Sequence, residues 1–116
     1  MPDWLRPFRD RAAHVAGLDP EHLIQALLIR YGPGAGIGWH RDRPIYGHVV
    51  GILLGEPATM RFRRRRSGGF DGASVPLDRR AAYNMSGPAR HEWEHSIIEM
   101  KRPRWSVMFR SLAGWT

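Results

Sequence analysis

The chain has 116 residues, with 18 Lys+Arg against 11 Asp+Glu for a formal net charge of +7, and all but one of the bases are arginine. That balance favours polyanions, nucleic acid before acidic membrane surfaces, while the lack of cysteine excludes a disulfide framework and suits a reducing compartment. No apolar run approaches the roughly 20 residues of a membrane span and the N-terminus has no signal-peptide pattern, so a cytoplasmic protein of one compact domain, without membrane contact or an obligate protein partner, is expected.

In chain order, residues 3–16 bring Trp4, Leu5, Phe8, Ala12 and Val15 to one helical face, with Pro7 in the first turn where proline is tolerated. This predicts an amphipathic helix backing the core. Gly17 can end it, and Asp19-Pro20-Glu21 reads as a cap followed by proline at the first position of a short helix or turn. Leu23 to Tyr31 is largely apolar and reads as a buried strand. Gly32 to Gly38 then supplies four glycines and a proline, which lets the backbone bend close to a site, but no Gly-Lys-Ser/Thr follows to make a phosphate loop. His48 to Leu54 is a second apolar run, and Thr59 to Arg63 alternates as a strand. Residues 67–74 form an expected glycine-rich turn. Weak strands follow at 74–77, 82–85 and 90–97, before a final strand over 104–112. Many short strands after one helix predict a mainly β core with a flanking N-terminal helix.

Chemistry concentrates at His40, Asp42, His95 and Arg104. In extended backbone, residues i and i+2 share a face, so His40 and Asp42 can offer an imidazole and a carboxylate to one ion, and a distant histidine completes three ligands with open positions left over. His95 is the first candidate for that distal role and His91, on the same expected strand face, the second. A closed structural zinc site is disfavoured, because no thiolate is present and only one compact His/Asp pair exists. With six histidines and 11 acidic residues, a single His-x-Asp triplet also arises readily by chance. The run Arg104 to Arg110 places Arg104, Ser106, Met108 and Arg110 on one strand face. A guanidinium among apolar neighbours calls for an anion, either a bound carboxylate or an Asp/Glu partner at the sheet rim.

These segments together carry a resemblance. Tyr31-Gly32-Pro33-Gly34-Ala35-Gly36-Ile37-Gly38-Trp39-His40-Arg41-Asp42, Leu54 to Ala58, Ser86-Gly87-Pro88-Ala89-Arg90, Trp93-Glu94-His95-Ser96-Ile97 and Arg104 to Arg110 resemble, in order and without large gaps, the AlkB family of Fe(II)- and 2-oxoglutarate-dependent dioxygenases. The resemblance implies a double-stranded β-helix, or jelly roll, with His40, Asp42 and His95 as iron ligands and catalytic centre. It implies that Arg104 pairs with the distal carboxylate of 2-oxoglutarate, that Tyr31, Ser106 and Arg110 fall on other co-substrate positions, and that O2 is the second co-substrate. The implied activity is oxidative demethylation of alkylated nucleobases in DNA or RNA. Residues 1–116 are then one catalytic domain without the upstream segment that in relatives forms much of the lid over the nucleotide.

Two positions depart from the family pattern. Ile29 stands where an amide usually contacts the co-substrate, and Pro44 where the nucleobase-demethylating prototype has an acidic residue. The departures keep a protein or small-molecule hydroxylase of the same family open, and also a non-catalytic basic nucleic-acid-binding domain. Arg61, Arg63, Arg64, Arg65 and Arg66 form the densest charge cluster, which reads equally as a row of phosphate contacts or as a solvated strand edge that discourages pairing. Arg79, Arg80 and Arg90 can extend that face. Trp39 is expected to pack outward, Trp93 and Tyr46 are the better base-stacking candidates with a core role the first reading of Trp93, and Met60, Met85 and Met108 read as core filler.

Overall fold

In a computed structural model, which describes residues 2–99, 102 and 104–113, a 3-10 turn at Asp3–Leu5 leads into helix α1, Arg6–Ala16. Pro7 sits in the first turn, where its missing N–H leaves nothing unpaired. Gly17 stops the helix in the left-handed conformation at φ 71, and the Gly17 and Leu18 amides donate to the His14 and Ala13 carbonyls. The buried face is Leu5, Ala12 and Ala13, with Phe8 and Ala16 beside them. Trp4 and Val15, expected on that face, are exposed. Val15 lies about 90° round the helix from the centre of the face, at its margin.

Eight strands follow: β1 Gln25–Tyr31, β2 Ile37–His40, β3 Tyr46–Gly55, β4 Ala58–Arg66, β5 Gly69–Leu77, β6 Ala82–Met85, β7 Glu94–Ile97 and β8 Arg104–Leu112. They form two antiparallel four-stranded sheets, ordered β1-β8-β3-β6 and β2-β7-β4-β5. This is the expected jelly roll with its flanking helix. The apolar run in β3 is continuous because both of its faces are covered. Val50 and Ile52 meet α1 together with Val107 and Phe109, while Val49 and Leu53 join Met60, Met85, Ile97 and Met108 between the sheets.

Three elements differ from expectation. β1 is not buried: among the described residues it pairs only with β8, at the margin of its sheet, and Leu27 and Leu28 are 43% and 47% exposed. Its apolar composition carries no information about which strand lies beyond it. The expected turn at 67–74 is mostly strand, since β5 pairs residue for residue with β4 from Ala58↔Leu77 to Arg66↔Gly69. Only Ser67 and Gly68 remain as a two-residue hairpin loop, with Gly68 at φ 83. Finally, the expected strand at 90–97 begins only at Glu94, because Pro88, with its φ preset for a helix, starts a short helical turn α2, Pro88–His91.

Gly51 fixes one aromatic ring. A Cβ there would lie 2.5 Å from Cε1 and Oη of Tyr83, its cross-strand partner on β6, so the ring lies flat on the β3 backbone. Gly51→Ala is therefore expected to cost about 1–3 kcal/mol through overpacking, read from the midpoint of chemical unfolding at unchanged m.

Candidate functional site

β2 and β7 pair with His40 directly opposite His95. Their rings sit with centroids 4.2 Å apart and tilted by 55°. β2 ends at His40, so Asp42 stands just past the strand and not within it, yet its Oδ1 is 3.7 Å from His40 Nε2. One ligand atom from each of His40, Asp42 and His95 falls within a group spanning no more than 4.8 Å. Two imidazoles and one carboxylate on one side of an ion is the donor set of an Fe(II) centre with open positions. The residues around the group support it. His40 Nδ1 is 2.8 Å from the Gly38 carbonyl, which makes Nδ1 the protonated nitrogen and leaves the Nε2 lone pair free. Arg110 Nε donates to Asp42 Oδ2 at 2.8 Å, so the second carboxylate oxygen is anchored and Oδ1 is left toward the histidines.

His95 is buried beside Phe62. Burial, and after it the neighbouring His40, push its pKa down to about 4, and a neutral imidazole is the form that binds metal. The unfolded chain takes up this proton near pH 6.5 and the folded chain does not until about pH 4. The contribution of His95 to stability of the metal-free protein is thus fully present above about pH 6.5 and is lost as pH falls toward 4, on the order of 3 kcal/mol. Denaturant melts of wild type and His95→Asn across that range check it: the wild-type slope is expected to flatten in the variant.

His91, the second candidate for the distal position, belongs to α2 and is exposed, not on a strand face with His95. Its backbone carbonyl accepts from Arg41 Nη1.

On the opposite sheet, Arg104 of β8 faces Tyr31 of β1, and its guanidinium lies 3.8 Å over the Tyr31 ring. Arg104 is 1% exposed, and its Nη1 donates to Ser106 Oγ at 3.1 Å. Among the described residues no carboxylate pairs with it, and its Nε and Nη2 have no hydrogen-bond partner. Of the two anions the sequence leaves open, the rim Asp/Glu is therefore not the one present. A buried guanidinium with two unengaged N–H donors fits a ligand carboxylate. Burial lowers the Arg104 pKa and raises that of Tyr31. Arg110, expected among the co-substrate residues, has its Nε engaged by Asp42 and its Nη1 by Gln25, so in this structure it orients the Asp42 carboxylate. Ile29, opposite Ser106, adds only hydrocarbon to this wall.

The arginine run is divided by strand alternation. Arg61 donates to Ser96, Arg63 to Glu94, while Arg64 pairs with Asp71 and Glu92 and Arg66 with Asp71. Arg63 also lies between the rings of Trp39 and Phe70, and Arg65 is over Phe70. Trp39 does face outward, and Arg64 covers Trp93. The less conspicuous bases lie nearer the metal group. Arg41, Asp42, Arg43, Pro44, Arg90 and His91 line a cleft of about 530 Å3, and a neighbouring one of about 420 Å3 adds Gln25, Tyr46 and Arg110. Arg41 and Arg43 are exposed. Buried Arg90 donates to the Arg43 carbonyl. Charge density along the chain points to the 61–66 run, and no local signal marks the two isolated arginines flanking Asp42 as lining a cleft with it.

Two facing sheets, with a His/Asp/His group on one side and on the other a buried arginine that has no carboxylate partner among the described residues, define a jelly-roll protein suited to a metal and an anionic ligand. The chain belongs to the 2OG-Fe(II) oxygenase superfamily, whose family model matches residues 1–112. That family implies Fe(II), 2-oxoglutarate and O2, and the donor set and the unengaged Arg104 nitrogens fit all but the oxygen, for which open metal positions remain. Among solved structures the chain is similar in fold to an oxalate oxidase in complex with the substrate analogue glycolate (TM-score 0.55, 12% identity, covering 75% of this chain and 41% of that one). It is also similar to the capsular polysaccharide assembling protein CapF from Staphylococcus aureus (TM-score 0.54, 13% identity, 76% and 24%) and to the CENP-C cumin domain of Drosophila melanogaster (TM-score 0.54, 9% identity, 76% and 59%). The chain spans less than two thirds of each, and at these identities the likeness is one of fold alone. No helix among the described residues is long and apolar enough to cross a membrane.

Proposed function

We propose that the protein is an Fe(II)- and 2-oxoglutarate-dependent dioxygenase that oxidatively demethylates alkylated nucleobases in DNA or RNA, with residues 1–116 as its catalytic domain. The observation that carries the oxygenase reading is the buried Arg104, with two unengaged nitrogens, on the sheet facing His40, Asp42 and His95. Bound iron, with 2-oxoglutarate and O2, supplies oxidation of a C–H bond while the co-substrate is decarboxylated to succinate and carbon dioxide; an N-methyl group so hydroxylated loses formaldehyde.

The chain's own residues prepare this. The Gly38 carbonyl holds the His40 proton on Nδ1, Arg110 holds Asp42 in place, and burial keeps His95 neutral. Arg104, supported by Ser106 and the Tyr31 ring, takes the far carboxylate of the co-substrate and so sets the direction of the near one. Phe62 packs beside the His95 ring and contributes to its burial.

The demethylase reading rests on the cationic clefts beside Asp42. Arg41 and Arg43, exposed in clefts that include Asp42, take the phosphates flanking the base in this reading, and Tyr46, which lines the neighbouring cleft, is its stacking surface. Arg41→Ala and Arg43→Ala are each expected to weaken single-stranded oligonucleotide binding and lower the slope of log K against log salt by about 1, while Arg63→Ala, which breaks a bond to Glu94, leaves the slope unchanged. The direct test is succinate formation with and without a methylated oligonucleotide. A rise on adding the oligonucleotide supports demethylation. Turnover without any rise favours the second reading, a protein or small-molecule hydroxylase, which Pro44 in the cleft and the internally paired arginine run support.

A further inference from the structure

Tyr83 of β6 has no place in the site as described so far, yet its hydroxyl is poorly partnered where it lies. It donates to Met108 Sδ at 3.4 Å, and a thioether is a weak acceptor. The row Leu27–Met108–Gly51–Tyr83 crosses the first sheet from β1 to β6. Because residue 51 has no side chain, the Tyr83 ring can lie across β3 and reach Met108. Met108 is on the same β8 face as Ser106 and Arg104 on one side and Arg110 on the other. The ring therefore extends beneath the space between the buried arginine and the arginine that holds Asp42. Its electrostatic neighbours are Tyr31, Arg104, Asp42 and Arg110, from both ends of that space, and burial raises its pKa, which keeps it a phenol and so a hydrogen donor.

We infer that Tyr83 is a co-substrate-binding residue, whose hydroxyl leaves Met108 to donate to the carboxylate paired with Arg104. This rests on the dioxygenase reading and deepens it. The wall opposite, Leu27 and Ile29, offers that carboxylate no donor, so its oxygens are shared among Arg104, Tyr31, Ser106 and Tyr83. Exchanging a sulfur acceptor for a carboxylate oxygen turns a weak hydrogen bond into a charge-assisted one.

The test is the affinity of 2-oxoglutarate for protein loaded anaerobically with Mn(II), measured calorimetrically for wild type and Tyr83→Phe, with pyruvate as a probe that lacks the distal carboxylate. Tyr83→Phe is expected to weaken 2-oxoglutarate about ten- to a hundred-fold, to leave pyruvate unchanged, and to leave Mn(II) affinity and the unfolding midpoint near those of wild type. Gly51→Ala, which keeps the hydroxyl but displaces the ring, is expected to weaken 2-oxoglutarate as well. Equal affinity of wild type and Tyr83→Phe for 2-oxoglutarate overturns the assignment, as does equal loss for pyruvate. Wild type that binds Mn(II) but no 2-oxoglutarate removes the dioxygenase reading itself, and this assignment with it.

Discussion

His40→Ala, Asp42→Ala and His95→Ala are each expected to lose Fe(II) affinity by more than about 100-fold and 2-oxoglutarate turnover altogether, while the β-fold persists. Outer partners of metal ligands typically contribute about 10- to 100-fold in affinity, and a ligand itself contributes more. The fold persists because neither His40 nor Asp42 belongs to the apolar clusters, and replacing His95 removes a buried imidazole whose protonation already opposes folding. Arg110→Ala gives the graded case. It frees Asp42 Oδ2 and leaves a largely buried carboxylate unpaired, so metal affinity falls by about 10- to 100-fold and turnover survives at higher iron. Metal titration with circular dichroism on the same samples separates loss of the site from loss of the fold. Retained turnover in all three ligand variants would sink the assignment.

Arg104→Met is expected to act in opposite directions on binding and on stability. A carboxylate left in that pocket without its guanidinium loses about 2–5 kcal/mol, roughly 30-fold to several thousand-fold in affinity. Without ligand, however, Arg104 is a buried charge whose nearest compensation is the Tyr31 ring. Replacing it by a side chain of similar length that needs no counter-ion is expected to be neutral or to stabilise the ligand-free protein by up to about 2 kcal/mol. That sign separates the two anions the sequence leaves open, because a rim ion pair with Asp or Glu would make the same substitution destabilising by about 3–5 kcal/mol. Arg104→Lys retains charge without the planar fork and is expected to fall between wild type and Arg104→Met in affinity. Thermal or chemical unfolding with and without 2-oxoglutarate reads both effects.

Much of the site was legible because it depends on local periodicity. The short His40-x-Asp42 spacing keeps the imidazole and the carboxylate close even though Asp42 lies just past β2, and the alternation of Arg104, Ser106, Met108 and Arg110 places all four on one face. The helix was legible from its apolar spacing and from Gly17 at its end, apart from the marginal Trp4 and Val15. What failed depends on pairing between distant segments. Nothing in Leu23–Tyr31 states that β1 has β8 as its single neighbour among the described residues, and nothing in residues 67–74 states that they will lie against the arginines of β4. For the same reason the arginine run read as free charge: its partners Glu94, Ser96 and Asp71 come from β7 and β5. Tyr83 stayed hidden because its role follows from a glycine 32 positions earlier that only sheet register sets beneath it. His91 was misplaced by a more local cause, the Gly87-Pro88 start of α2, which turns the chain before β7 begins.

The most direct measurement of the central claim is anaerobic calorimetry of 2-oxoglutarate into the protein with and without Fe(II), for wild type, Asp42→Ala and Arg104→Met. A metal site and a carboxylate clasp acting on one molecule predict one 2-oxoglutarate per wild-type chain, bound tightly with iron, and loss of that binding in either variant although Arg104 lies on β8 and Asp42 just past β2 of the other sheet. Binding that ignores iron, or that survives both substitutions, would contradict the claim that these residues form a single Fe(II)/2-oxoglutarate site.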